Sequence, residues 1–179
     1  MYRLWLAFTV NKRAAPRGSK RPVKIKGGRT ILIDSSKKSV PFMDSVRADC
    51  LEAARNRRLI PEEGNFSPWS GPVLIEIIYT YKRPKKHFSE SKRFGRTLRG
   101  DAPPVPCSGG VPDVDKTHRA VQDGLSGVAF GDDAQVNEIR DRREWGSAER
   151  TAIRIFYGPR TMDEAAEWRT QSLLARAAP

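Results

Sequence analysis

With 179 residues, 33 Lys+Arg against 21 Asp+Glu and a formal net charge of +12, the chain is long enough for one domain with a real core. Its basicity points to a polyanionic partner. The two cysteines, Cys50 and Cys107, lie in no CxxC or Cys/His cluster, so neither a zinc site nor a disulfide scaffold is indicated. The opening MYRLWLAFTV is too short and too quickly basic for a signal peptide or membrane span, so a soluble, cytoplasmic protein with no membrane partner is expected.

In chain order, Tyr2, Leu4, Leu6, Phe8 and Val10 alternate with Arg3, Trp5, Ala7 and Thr9, which predicts a strand. The run from about 11 to 29, rich in Gly, Pro and cations, builds no core and reads as a mobile basic loop, either a solvated linker or a DNA-contacting arm. Phe42, Val46, Cys50, Ala53 and Ala54 share one face of a helix that has Pro41 near its first turn and ends before Pro61. Val73, Ile75, Ile77, Tyr79 and Tyr81 form the buried face of a second strand, with Leu74, Glu76, Ile78, Thr80 and Lys82 on the half-buried one. Residues 83–110 show little periodicity and read as a second basic loop. Ala120, Val121, Gly124, Leu125 and Val128 are the stripe of a short helix, followed by strands from near Ala134 and around Ile153 and Ile155. Thr161 to Glu164 is a capping box that opens a C-terminal helix. This order predicts an α+β fold, a small mixed β-sheet packed with helices, with one domain over 1–160 and a helical tail over 161–179.

Charge is unevenly spread. Residues 1–40 carry eleven Lys/Arg and one acid, and residues 82–100 carry eight and one, whereas residues 113–144 carry eight acids against five bases. The acidic centre holds Asp113 and Asp115 two apart, and Asp132-Asp133 after the short helix. Four carboxylates at the two ends of one helix suit a hydrated Mg²⁺, or Mn²⁺ in its place, because hard cations take oxygen ligands and keep several waters. Such an ion lowers the pKa of a water and neutralises charge on a phosphodiester under attack. Each residue also has a plain reading. Asp115 is placed to N-cap a helix starting at Lys116, and Asp132-Asp133 after Gly131 are ordinary turn residues. Arg119, one helical turn past Asp115, faces either a phosphate or Asp115 itself. His118 is a candidate proton carrier or a plain surface histidine, and His87 carries no signal.

The block PDVDK (112–116), Arg119, DGLSGV (123–128) and DDAQV (132–136), preceded by YKRP (81–84) and by the FTV start with its basic run, resembles the RusA family of Holliday junction resolvases. The resemblance covers most of residues 6–157. It implies a homodimeric, Mg²⁺-dependent endonuclease of phage or prophage type, working in a bacterial cell at the nucleoid. Such an enzyme cuts two opposing strands of a four-way DNA junction and leaves ligatable nicks. Carried over, Asp113, Asp115 and Asp133 are the metal-binding carboxylates with Asp132 beside them, and Arg119 replaces a catalytic Lys. Lys116 stands where the family usually has Asn. Lys20, Arg21, Lys24, Lys85, Lys86, Lys92 and Arg93 are expected, with Lys116, to hold the junction DNA. Two other readings stay open: a basic junction-binding protein without activity, whose acids are caps and turns, and a metal nuclease acting on flaps or forks.

Overall fold

A computed structural model describes residues 2–18, 20–34, 38–61, 67–91, 93, 95–107 and 110–177. Its centre is a four-stranded mixed sheet of β1 (Arg3–Val10), β8 (Arg150–Tyr157), β4 (Val73–Lys82) and β7 (Val136–Gly146), in that spatial order. β8 runs antiparallel to both β1 and β4, while β4 and β7 are parallel, in register from Leu74–Glu138 to Lys82–Gly146. The parallel pair requires a crossover, and helix α2 (Val114–Leu125) lies within it. The expected α+β fold with a mixed sheet is the one observed.

Helix α1 (Ser39–Asn56) buries Phe42, Val46, Cys50 and Ala54, the predicted stripe. Burial pushes the Cys50 thiol up to about 12, so it packs as a small apolar group and has no thiolate to offer. α1 and α2 touch where Gly124 meets α1. A Cβ there would stand 2.9 Å from both the Met43 carbonyl oxygen and the Val46 Cβ, so only glycine allows the approach. β4 is buried along nearly its whole length, and Ile75, Ile77, Tyr79, Ile153, Ile155, Leu6 and Val10 make the sheet's share of the core.

Three local expectations are revised. Leu4 is 52% exposed, because the β1 register shifts between Leu4 and Leu6 and turns it away from the Leu6–Val10 face. The basic run after β1 is not one featureless arm. Its first part is strapped along α2: Arg17 N donates to the Lys116 carbonyl at 2.9 Å, Arg17 pairs with Asp123, and Ala14 and Ala15 are buried. Its second part is a hairpin of β2 (Lys20–Lys24) and β3 (Thr30–Asp34), turned through Gly27 and Gly28, both with positive φ. Likewise residues 83–110 contain a 3-10 turn (Lys85–His87) and a hairpin of β5 (Phe88–Ser91) and β6 (Gly95–Leu98). This excursion is tied to β7 through Trp145, whose Nε1 donates to the Pro103 carbonyl at 3.0 Å and whose ring meets buried His87 edge-on. The C-terminal helix α3 (Met162–Ala177) starts as its capping box predicts, with Glu164 N donating to Thr161 Oγ1 at 3.1 Å.

Candidate active site

α2 carries one acidic pair at its start. Asp113, not Asp115, is the cap residue, with extended backbone (φ −61°, ψ 137°), and its side chain makes no capping bond. Its carbonyl instead accepts from Thr117 Oγ1 at 2.6 Å. The exposed carboxylate therefore stays outside the helix end, where Lys116 Nζ donates to Oδ2 at 2.9 Å. That hydrogen bond, and then the lysine charge, hold the Asp113 carboxyl below the usual carboxylate range, and the same bond raises the Lys116 ammonium. Lys116 thus keeps a cation on one of the two acids. Asp115 follows in the first turn, exposed. Arg119 lies one turn further along the same exposed stripe and makes no ion pair with Asp115 or with any other described residue.

Between that stripe and the sheet sits His118. Its Nδ1 lies 3.3 Å from Asp141 Oδ2 on β7, with the two side chains 28% and 20% exposed. Asp141 was missing from the sequence reading. It shares a strand face with Ile139, which packs against the core, and an acid on such a face was the available signal.

The second acidic pair sits beyond the other end of α2. The chain leaves the helix through Gly127 (φ +78°), whose N–H donates to the Phe130 carbonyl at 2.7 Å. This turn is pinned by Tyr157 Oη on the Ala129 carbonyl at 2.6 Å, with the Tyr157 ring stacked between Trp5 and Trp69. Asp132 then caps a 3-10 turn (Asp133–Gln135), its Oδ1 accepting from Ala134 N at 2.8 Å. Gln135 Oε1 accepts from Gly131 N and Asp132 N, both at 2.9 Å, and its Nε2 donates to the carbonyls of Trp69 (2.8 Å) and Gly71 (2.9 Å). All four hydrogen-bonding positions of the amide are used. Gln135 thereby fastens the Asp132-Asp133 turn to the lead into β4, and Asp133 is left exposed beside it. Gln135→Ala should cost about 1–2 kcal/mol, since the Asp132 N–H and the Gly71 carbonyl lose their partner while Gly131 N–H and the Trp69 carbonyl keep only their own bond at 3.3 Å. Urea unfolding with an unchanged m-value checks this, and a loss under about 0.5 kcal/mol, the ordinary surface range, would contradict it.

The two acidic pairs do not meet within one chain. At about 1.5 Å per residue the 12 residues of α2 span about 18 Å. Among the described residues, no three His, Cys, Asp or Glu side chains gather closely enough to hold a metal ion.

Residues 15–156 match the family described as Endodeoxyribonuclease RusA. The chain belongs to that family. It is an endodeoxyribonuclease, a Holliday junction resolvase acting on branched DNA, and RusA nucleases are in general metal-dependent. Both acidic motifs, α1 and most of the sheet lie inside the RusA span, whereas β1 and α3 lie outside it. No curated protein matches the chain in sequence. Of the cations expected on the RusA substrate, Lys20, Arg21 and Lys24 fall on β2, Lys85 and Lys86 on the 3-10 turn, and Arg93 between β5 and β6; Lys92 lies outside the described residues. Among the described residues, no helix is long and apolar enough to cross a membrane.

Proposed function

We propose that this RusA-family chain resolves Holliday junctions and other branched DNA by paired, symmetric incision, as a homodimer that uses Mg²⁺, with Mn²⁺ able to replace it. Its nuclease domain is residues 1–160, followed by a tail that carries α3 (Met162–Ala177). The observation that carries the reading is the placement of the acids: one pair at the head of α2, the other beyond its foot, both inside the matched span.

The donor set suits a hard divalent cation, being exposed carboxylates with Asp113 held anionic by Lys116. Two such groups at one place are few, however, and the other two stand a helix length away. A second copy removes the difficulty. A two-fold axis that sets two α2 helices antiparallel brings Asp113 and Asp115 of one protomer to Asp132 and Asp133 of its partner, and builds two equal sites. β7 is an edge strand, and α2 lies beside it through His118 and Asp141, so pairing of two β7 edges sets the helices in that relation. The same symmetry matches a four-way junction, whose two opposing strands are cut.

When bound, the cation supplies charge neutralisation at the phosphoryl oxygens and a lowered pKa for the attacking water. The chain's residues do the rest. Asp113, Asp115 and Asp133, with Asp132 beside them, would hold the cation. Arg119, free of any partner among the described residues, faces the phosphoryl group and stabilises charge there as a fixed cation. Lys116, paired with Asp113, would stand beside the cation as an added positive charge for the DNA backbone. Lys20, Arg21, Lys24, Lys85, Lys86, Lys92 and Arg93 hold the junction arms, a binding mode that weakens steeply with salt.

The test is cleavage of an end-labelled synthetic four-way junction, with Mg²⁺ and with EDTA, beside a linear duplex of equal length. Symmetric nicks that require Mg²⁺ and the junction are expected. Binding without cleavage in both conditions would overturn the catalytic assignment, and equal cutting of flaps or forks would replace the substrate.

A further inference from the structure

We propose that His118, positioned by Asp141, donates the proton to the departing oxygen of the cut strand, a role that rests on the resolvase reading above. Ligatable nicks need a 3′-hydroxyl and a 5′-phosphate, so the bond broken is P–O3′. Water oxygen bonds to phosphorus, the P–O3′ electron pair passes to O3′, and that oxygen leaves as a strongly basic alkoxide unless it is protonated as it departs. The proton comes from His118 Nε2–H, the water's proton is lost to solvent, and the imidazole is reprotonated from solvent before the next turnover.

The assignment follows from which groups surround the first two turns of α2. From the helix these are Asp113, Asp115, Lys116, His118 and Arg119, from β7 Asp141 and Arg143, from the strap after β1 Arg17, whose backbone N–H donates to the Lys116 carbonyl, and from β4 the buried Tyr81, which meets Thr117. Tyr79, from β4, faces Asp141 but is fully buried. Arg119 keeps its proton at any working pH and is no donor in the sense a lysine would be. Lys116 has its ammonium on Asp113. His118 remains, the side-chain type that exchanges protons near neutrality. It sits three residues after Asp115, on the flank of the stripe that carries Asp115 and Arg119, partly open to solvent. The Nδ1 contact to Asp141 fixes the ring and leaves Nε2 as the other donor.

The role is tested with two junctions cut under single-turnover conditions with Mn²⁺, one ordinary and one with sulfur in place of O3′ at the scissile position. A thiolate leaves without protonation. His118→Ala should slow the ordinary junction about 10²-fold, the usual worth of a positioned acid, and the sulfur junction by a few-fold at most. Asp141→Asn should show the same selectivity with a smaller loss, about 10-fold on the oxygen substrate alone. Junction binding in Ca²⁺ and urea stability should match those of the unaltered protein, and His118→Gln, which keeps a polar side chain, should behave as His118→Ala. Equal losses on both junctions, or no loss on either, would overturn the role. Failure of the unaltered protein to cut any junction with Mn²⁺ would instead overturn the resolvase reading, which separates the two.

Discussion

Replacing Asp115 by Asn should abolish junction cleavage and leave junction binding equal or tighter. Asp115 is exposed in the first turn of α2, so nothing in the fold depends on its charge beyond a helix-dipole contribution of about 0.3–1 kcal/mol. Its carboxylate is one of two at the head of the helix, and on the proposed reading its loss would remove a hard ligand from a cation worth several kcal/mol to the transition state. At 1.36 kcal/mol per factor of ten, that is about 10³-fold or more in rate. Binding goes the other way, because an acid facing DNA repels phosphate and its amide does not. Single-turnover cleavage and a gel-shift titration in Ca²⁺ measure the two separately. Binding lost in proportion to cleavage would make Asp115 a folding or docking residue and end its assignment as a ligand. Asp113→Asn should be less clean, since it also releases Lys116.

How far the sequence reached depended on what kind of regularity each element has. α1, β4 and α2 bury periodic stripes, and their periods put them in place without help. The two hairpins are short, and their ladders mix apolar pairs such as Val23–Ile31 and Phe88–Leu98 with charged ones such as Glu90–Arg96, so no sustained apolar alternation marks them. Only Gly27, Gly28 and Gly95, all at positive φ, hinted at turns. In the site, residue types and spacings were legible, but distance was not. Asp113, Asp115, Asp132 and Asp133 look like one cluster along the chain, yet the rise of a helix between them sets them at opposite ends of it. Gln135 was seen only as a motif letter, and its four hydrogen bonds explain why that turn needs an amide. Asp141 shares its face of β7 with Ile139, a local trace that gains a meaning only when α2 lies against that strand and sets His118 on it.

The separation of the acids leads to an outcome that no single-chain site can produce. Asp115→Asn and Asp133→Asn should each be inactive as homodimers, because every site then lacks one carboxylate. A heterodimer of the two should regain cutting. If each site takes Asp113 and Asp115 from one protomer and Asp132 and Asp133 from the other, one site of the heterodimer carries both lesions and the other carries none. Purified through two different tags after co-expression, it should therefore nick junctions at about half the wild-type rate, given two equal sites. It should cut one strand rather than an opposing pair, so the junction would be opened but not resolved. Were all four acids to act within one chain, each site of the heterodimer would carry one lesion and no cutting would return. Activity from this pair would place the ends of two α2 helices together across the two-fold axis. Its absence, with both single substitutions inactive and the heterodimer intact by size, would require the foot of α2 to move to its own head.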